Sequence, residues 1–351
     1  MKKEDGLAFS FILQGGSGQR LDWEQVKRWN PAQGILWLHL DFKNERVKNW
    51  LSEESGIDSV SCEALLAEET RPRVVASSHS LLLILRGVNC NPGADPEDMV
   101  SIRMWFDENR IITMRHRRVM AIEDINKSIE IGKGPDSAND FLVMVANKLA
   151  DRIGDVINEI DDSVDELEEL VMTEESHELR PKLANLRRQT ISMRRYISPQ
   201  RDVMARLLTE RISWLSDIDK VHIREIAERT ARFIDDLDSA RDRAAITQEE
   251  LNNRLSEQMN KTMYILSIVA AIFLPLGLIT GLLGINVGGI PGTENKFAFA
   301  YVIVFLIVFT LFIPSCFVFL IILSRLRCSV CLTCVSVSSH SLIVVSFENE
   351  F

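Results

Sequence analysis

Apolar and polar positions along this chain fall into three successive regimes. Up to about residue 135, short apolar runs alternate with amphipathic segments. Residues 7–13, 35–40, 74–75, 80–85, 99–106 and 110–114 read as strands, the last two joined by a turn at Asp107-Glu108-Asn109. Residues 45–51 and 60–68 read as helices between them. This pattern predicts an α/β or α+β domain over 1–135. From Ala138 the period becomes helical: Phe141, Val145, Leu149, Ile153, Val156, Ile160, Val164, Leu167 and Val171 recur at steps of three and four. A further helix covers the region around 182–211. Another begins near Ile218 and meets no convincing stop before Gly284, its seam running through Ile226, Thr230, Phe233, Leu237, Ala240, Ala244, Thr247, Leu251 and Leu255. Unbroken, roughly 65 residues at ~1.5 Å each make a rod of about 100 Å. Residues 136–261 are therefore expected to form a long helical stalk, and the modest seam favours a wide oligomeric funnel over a tight two-stranded coil.

The third regime is apolar throughout. Residues 262–286, TMYILSIVAAIFLPLGLITGLLGIN, carry no charge over 25 positions, enough at ~1.5 Å per residue to span a bilayer core of roughly 30 Å. Gly281 and Gly284 mark its exit, and Gly288, Gly289, Pro291 and Gly292 then punctuate a turn-rich connection at 287–296. A second uncharged stretch of 28 residues covers 297–324. Two C-terminal transmembrane helices joined by a short external loop are predicted, with a tail at 325–351. Arg254 and Lys261 before the first span and Arg325 and Arg327 after the second outweigh the single Lys296 of the loop, which places both termini in the cytoplasm.

Charge and cysteine usage narrow the classes. A formal net charge of −10 excludes the basic balance of a nucleic-acid binder. Cys62 and Cys90 have no disulfide or zinc-finger spacing, as expected in a reducing compartment. The run Cys328, Cys331, Cys334 with His340 has metal-like spacing but no folded context, so a tail without a metal is the simpler reading. Gly15-Gly16-Ser17-Gly18 completes no phosphate-binding motif and reads as a hairpin loop. His39 and His79 lie in apolar strand runs, as hydrogen-bonded core or edge histidines. His116, among Arg115, Arg117 and Arg118, belongs to a solvated basic face. No nucleophile, base and orienting group cluster, so an enzyme is not expected.

Charge also separates two consecutive helices. Between Asp151 and Glu178 there are twelve Asp or Glu residues and one Arg. The next helix carries Lys182, Arg187, Arg188, Arg194, Arg195, Arg201, Arg206 and Arg211 against Asp202 and Glu210. An antiparallel hairpin whose opposite charges attract, within or between subunits, is the expectation. Most of these residues read as solvated faces; a functional reading assigns Asp155, Glu159, Asp162 and Glu166 to concentrating cations at an inner mouth.

One helix per subunit cannot enclose a pore, so a conducting chain must be a homo-oligomer. Counting back in turns from Asn286 puts Gly281 or Leu282, Leu278, Leu274 or Pro275, Ser267, Met263 and Asn260 on one stripe. Leu274 and Leu278 make an apolar constriction there, and Pro275 a place for a bend. The stripe contains no Asp, Glu, His or Cys. Zinc held directly prefers nitrogen and sulfur ligands, so an ion would pass at least partly hydrated, touched by the Gly284 carbonyl and the Asn286 amide. Ile285 reads as a packing residue that sets ring geometry, and Glu294 as a cation attractor outside. From the residues alone, a plain membrane anchor and a pore remain equally open.

FLPLGLITGLLGIN, at 273–286, resembles the signature that ends the first membrane helix of the CorA-type divalent metal transporters, where Gly-Met-Asn is usual. Gly284-Ile285-Asn286 followed by VGGIPG is similar to the zinc-transporting ZntB branch. EETRPRVV from Glu68 and WFDENRIITMRHRRV from Trp105 also resemble the family's N-terminal domain, and the likeness extends to about Arg327. It implies a homopentameric funnel in the bacterial inner membrane, moving Zn2+ past Gly284, Ile285 and Asn286 with no bound cofactor. Magnesium, cobalt or nickel transport is the first alternative, and a non-conducting anchored sensor or scaffold the second.

Overall fold

The computed structural model describes residues 6–309 except 69, 78, 174–176, 285–295 and 298. The chain divides into two compact units, Met1–Asn252 and Asn253–Phe351.

The first unit is built on a seven-stranded sheet: β1 Leu7–Gln14, β2 Ser17–Arg20, β3 Ile35–Asp41, β4 Arg73–Ala76, β5 Ser80–Gly87, β6 Val100–Asp107 and β7 Arg110–Arg115. Its order is β2-β1-β3-β7-β6-β5-β4. Neighbours are antiparallel except β3 and β7, which run parallel with Trp37 opposite Ile111. Successive strand residues point to opposite faces, and both faces are buried. Trp37 and Ile111 face one core, Leu36, Leu38, Leu40, Ile112 and Met114 the other. In β1 a bulge between Leu7 and Phe9 resets the alternation, so Leu7 joins Ile12 on the face opposite Phe9 and Phe11.

Short helices cover the second face: α1 Trp23–Arg28, α2 Glu45–Asn49 and α3 Ser59–Leu66, with a π-helical turn at Trp50–Glu54 extending α2. Asp22 and Gln25 form a capping box at the start of α1. The first face is covered by α4 Met120–Glu130, α5 Ala138–Thr173, α6 Leu179–Leu207 and the beginning of α7 Asp217–Leu283. Phe141 of α5 meets Trp37 edge-on at 4.8 Å between ring centres, and Phe9 and Phe11 lie 5.0 and 5.9 Å from the same indole. The result is a helix–sheet–helix sandwich.

The glycine pair does form a hairpin loop. Gly15 and Gly16 take φ values of 59° and 72° between paired Gln14 and Ser17, the backbone of a two-residue type I′ turn. The Gly16 amide donates to Asp136 and its carbonyl accepts from Gly134 at 2.6 Å, pinning the hairpin tip to the α4–α5 connection.

His39 is a core residue, while His79 is not. The Thr113 hydroxyl donates to the Leu38 carbonyl at 3.1 Å, leaving its lone pairs to accept from Trp37 Nε1 at 3.0 Å and His39 Nδ1 at 2.8 Å. Burial, reinforced by Arg115, pushes the His39 pKa down to about 3, so the ring is neutral. His79 lies in the exposed turn between β4 and β5, where Ser77 N–H donates to the Ser80 carbonyl at 2.8 Å. The turn interrupts the apolar run and turns the imidazole to solvent.

The predicted pairing of acidic α5 with basic α6 is replaced by a different arrangement. Among the described residues no α5 carboxylate pairs with an α6 cation. α7 serves both instead: its Arg243 binds Asp161 at 2.9 Å, Glu168 at 2.7 Å and Asp165, and its Arg229 binds Asp151 at 2.5 Å. Toward α6, Asn252 accepts from Arg180 at 2.6 Å, Gln248 from Arg187 at 2.9 Å, and Asp238 pairs with Arg194 at 2.7 Å. α7 offers arginine to the acidic helix and acceptors to the basic one. Its seam residues Ile226, Thr230, Leu237, Ala240, Ala244, Thr247 and Leu251 are buried within the single chain, so this seam is filled from inside the protomer rather than by a second copy.

Candidate functional site

α7 starts at a reciprocal cap, in which the Ser216 backbone donates to Asp219 at 3.0 Å and the Asp219 backbone to the Ser216 hydroxyl at 3.2 Å. It continues unbroken for 67 residues to Leu283. Among the described residues it is the one helix long and apolar enough to cross a membrane. A shorter apolar helix covers Phe299–Phe309.

The predicted stripe is a single face of α7. At about 100° of rotation per residue, Asn260, Met263, Ser267, Leu274, Leu278 and Gly281 fall within an arc of about 60°. All six are exposed, with Leu274 at 74%, Met263 at 64% and Leu278 at 64%. A Cβ added at Gly281 meets nothing within 4 Å. The Ser267 hydroxyl donates to the Met263 carbonyl at 2.8 Å, so its oxygen lone pairs are what it leaves to solvent. Leu282 belongs elsewhere: with Ile279 it lines an apolar groove of ≈450 Å³ against Tyr301, Val302 and Phe305. Gly281, rather than Leu282, therefore continues the stripe.

A position that sequence reasoning missed lies on the same face. Pro275 sits inside α7 without breaking it. Having no N–H, it leaves the carbonyl four residues back, that of Ala271, without its helical donor. Ala271 falls within about 20° of Asn260 in azimuth, so a backbone acceptor is released beside the stripe. The signal was the proline itself, counted back by one turn.

At the end of the helix the Gly284 amide still donates to the Thr280 carbonyl at 2.9 Å. Ile285, Asn286 and Glu294 lie outside the described residues, as do the tail cysteines Cys328, Cys331 and Cys334 and His340. On α5, Asp155, Glu159, Asp162 and Glu166 are exposed at helical spacing along one face. They form no compact ligand set: among the described residues no group of three His, Cys, Asp or Glu is placed to hold a metal ion.

The sheet-and-long-helix architecture has counterparts in known proteins. The model of the CorA-like Mg2+ transporter protein family matches residues 32–320. The chain belongs to this family. It is 40% identical over 305 residues to the divalent cation transporter CmaX of Pseudomonas aeruginosa, covering 84% of this chain and 90% of that protein. It is 36% identical over 280 residues to the zinc transport protein ZntB of Yersinia enterocolitica, covering 80% and 85% of the two chains. The solved full-length CmaX structure superposes with a TM-score of 0.78 at 37% identity, covering 90% of this chain and 98% of that one. A CorA-like fold of mixed sheet and long helix is thus what the residues specify, and membership of a transporter family agrees with the lack of an expected catalytic cluster.

Proposed function

We propose that this chain moves a divalent cation, Zn2+, across the bacterial inner membrane as a homo-oligomer in which the apolar ends of the α7 helices surround the path. A pentamer with two spans per chain and cytoplasmic termini is the arrangement we favour. The observation that carries the reading is the exposed stripe from Asn260 to Gly281. A lone chain leaves it uncovered on a helix too apolar for water, and only further copies turn a helix face into the wall of a pore. Zinc is favoured by the extended identity with ZntB proteins and by the Gly284-Ile285-Asn286 ending. The family's description names magnesium and the CmaX relative is described only by divalent cations, so magnesium is the second reading.

The stripe offers the ion hydroxyl, amide and backbone oxygens. Ser267, Asn260, the carbonyl of Ala271 and, at the outer end, Gly284 and Asn286 would touch the water shell, while Leu274 and Leu278 form an apolar constriction that admits ions only when hydrated. The carbonyl ends of parallel α7 helices carry partial negative charge and favour cations there. Asp155, Glu159, Asp162 and Glu166, and Glu294 outside, would raise the local cation concentration without binding tightly.

The test is metal flux into liposomes carrying the purified protein, with zinc and magnesium compared. Zinc entry that disappears in Asn286→Ala supports the reading. Magnesium entry alone moves the chain to the second reading, and no entry of either ion through a folded oligomer refutes transport.

A further inference from the structure

A second site lies at the carboxyl ends of β3 and β7, the one parallel pair in the described sheet. Crevices beyond the carboxyl ends of parallel strands are where open α/β sheets hold ligands. Here an open cleft of ≈950 Å³ adjoins a smaller pocket of ≈260 Å³, and both are lined by His116 and Arg117. The smaller pocket is also lined by Arg86, Arg103 and Tyr196.

Arg103 is the anomaly. It stands in the middle of β6, 2% exposed, between Ile102 and Met104. Its Nη1 donates to the Leu65 carbonyl at 2.7 Å, its Nη2 to the Glu68 carbonyl at 3.2 Å, and Phe42 covers its face at 4.4 Å. All of these partners are neutral. Nε has no hydrogen-bond partner, and no carboxylate pairs with Arg103 among the described residues. Burial, then the neighbouring Arg86 and Arg73, lower its pKa to about 10, which still leaves it cationic at neutral pH. A buried charge without a counter-charge is costly. Arg117 stands exposed at the mouth, and among the described residues it too pairs with no carboxylate. Glu68 and Asp98 also line this pocket; both are exposed and make no ion pair with either arginine among those residues.

We propose that this pocket is an anion site for a phosphate group, contacted directly by Arg117 and held by the field of Arg103, with His116 beside them. Two guanidinium groups without an ion-pair partner among the described residues suit a dianion better than a single carboxylate. Guanidinium groups also recognise phosphate by paired hydrogen bonds. The group is either free phosphate or the phosphate of a nucleotide whose remainder occupies the adjoining ≈950 Å³ cleft. This inference does not depend on the transport reading, since every residue it uses lies in the first unit.

The experiment is isothermal titration calorimetry of the purified full-length chain at constant ionic strength, with inorganic phosphate and AMP as separate titrants. Saturable binding to the parent is expected, weakened about tenfold or more in Arg117→Gln by loss of a charge-assisted contact. Arg180→Gln, remote on α6, should bind as the parent does. Arg103→Gln should also lose binding, and if it fails to fold, exposed Arg117 decides alone. Tighter binding of AMP identifies a nucleotide-borne phosphate, and equal binding identifies the free ion. Absence of saturable binding by both titrants, or an affinity unmoved by Arg117→Gln, overturns the proposal.

Discussion

The two halves of α7 obey opposite rules. From Asp217 to Asn252 its apolar seam is buried by its own chain and its charged residues find partners on α5 and α6. From Met259 onward the large apolar side chains are the exposed ones, among them Met263, Leu266, Phe273, Leu274, Leu278 and Leu282. One continuous helix thus has a first half whose environment the protomer completes and a second half whose environment must come from outside, namely lipid and further copies. A helix apolar all round belongs in a core or a membrane, and among the described residues nothing builds a core around the second half.

The sharpest way to break this contrast is to damage each half and read a different property. Phe141→Ala empties the space between Trp37 and Phe106, and the loss of a fully buried aromatic costs ~3–5 kcal/mol. A lower thermal midpoint of the first unit, with the protein still recovered in membranes, is the expected result. Leu276→Arg should do the converse. An arginine at the centre of a spanning helix costs ~2.5–3.5 kcal/mol on insertion, so the membrane-extracted fraction falls while the fold of the sheet is retained. If Leu276→Arg leaves membrane recovery unchanged, the second half of α7 does not sit in lipid.

A third prediction belongs to the first half alone. His39 has a folded pKa of about 3 against 6.5 for the ordinary residue. Below pH 6.5 the unfolded chain takes up a proton that the folded chain refuses, so stability falls with acidification by up to ~1.4 kcal/mol per pH unit until about pH 3. Chemical denaturation between pH 7 and 5, above the range in which ordinary carboxylates titrate, measures it. A flat profile there would show that the imidazole charges in place.

How much of this was written legibly in the chain depends on which physical signal each element carries. The apolar strands and the extents of α5 and α7 follow from periodicity, because burial on one or two faces leaves a repeat of two or 3.6. β2 escapes that test: Ser-Gly-Gln-Arg has no apolar residue and is a strand only because the type I′ turn presents it to β1. α4 was overlooked although Ile122, Ile125 and Ile129 mark its buried face. Within the chain the inferred attraction of α5 for α6 is not found among the described residues, because the sign of a charge carries no geometry; α7, remote in sequence, supplied both sets of partners. That the stripe residues share one face of α7 was legible from helical counting; the position of Ala271 was not, because its distinguishing group is a backbone carbonyl released by a proline elsewhere. Arg103 was visible as a lone charge within Val-Ser-Ile-Arg-Met-Trp-Phe, but only the fold shows that among the described residues no carboxylate pairs with it.

The smallest expected effect tests why the first half of α7 stays with its own chain. Arg243 reaches three carboxylates of α5, and its hydrogen bonds to Glu168 and then Asp165 raise its pKa further above any working pH. The guanidinium is therefore charged throughout, and pH cannot switch the clamp through it. Its side chain is 32% exposed, however, and those of Asp161 and Asp165 are 60% and 64% exposed, so solvent and salt screen the attraction. Arg243→Ala should accordingly cost only about 1 kcal/mol despite the number of contacts, with the deficit shrinking as salt rises. Denaturation of parent and variant at low and high ionic strength measures both quantities. A loss as large as that of Phe141→Ala, indifferent to salt, would mean that charge rather than the apolar seam holds α7 to α5.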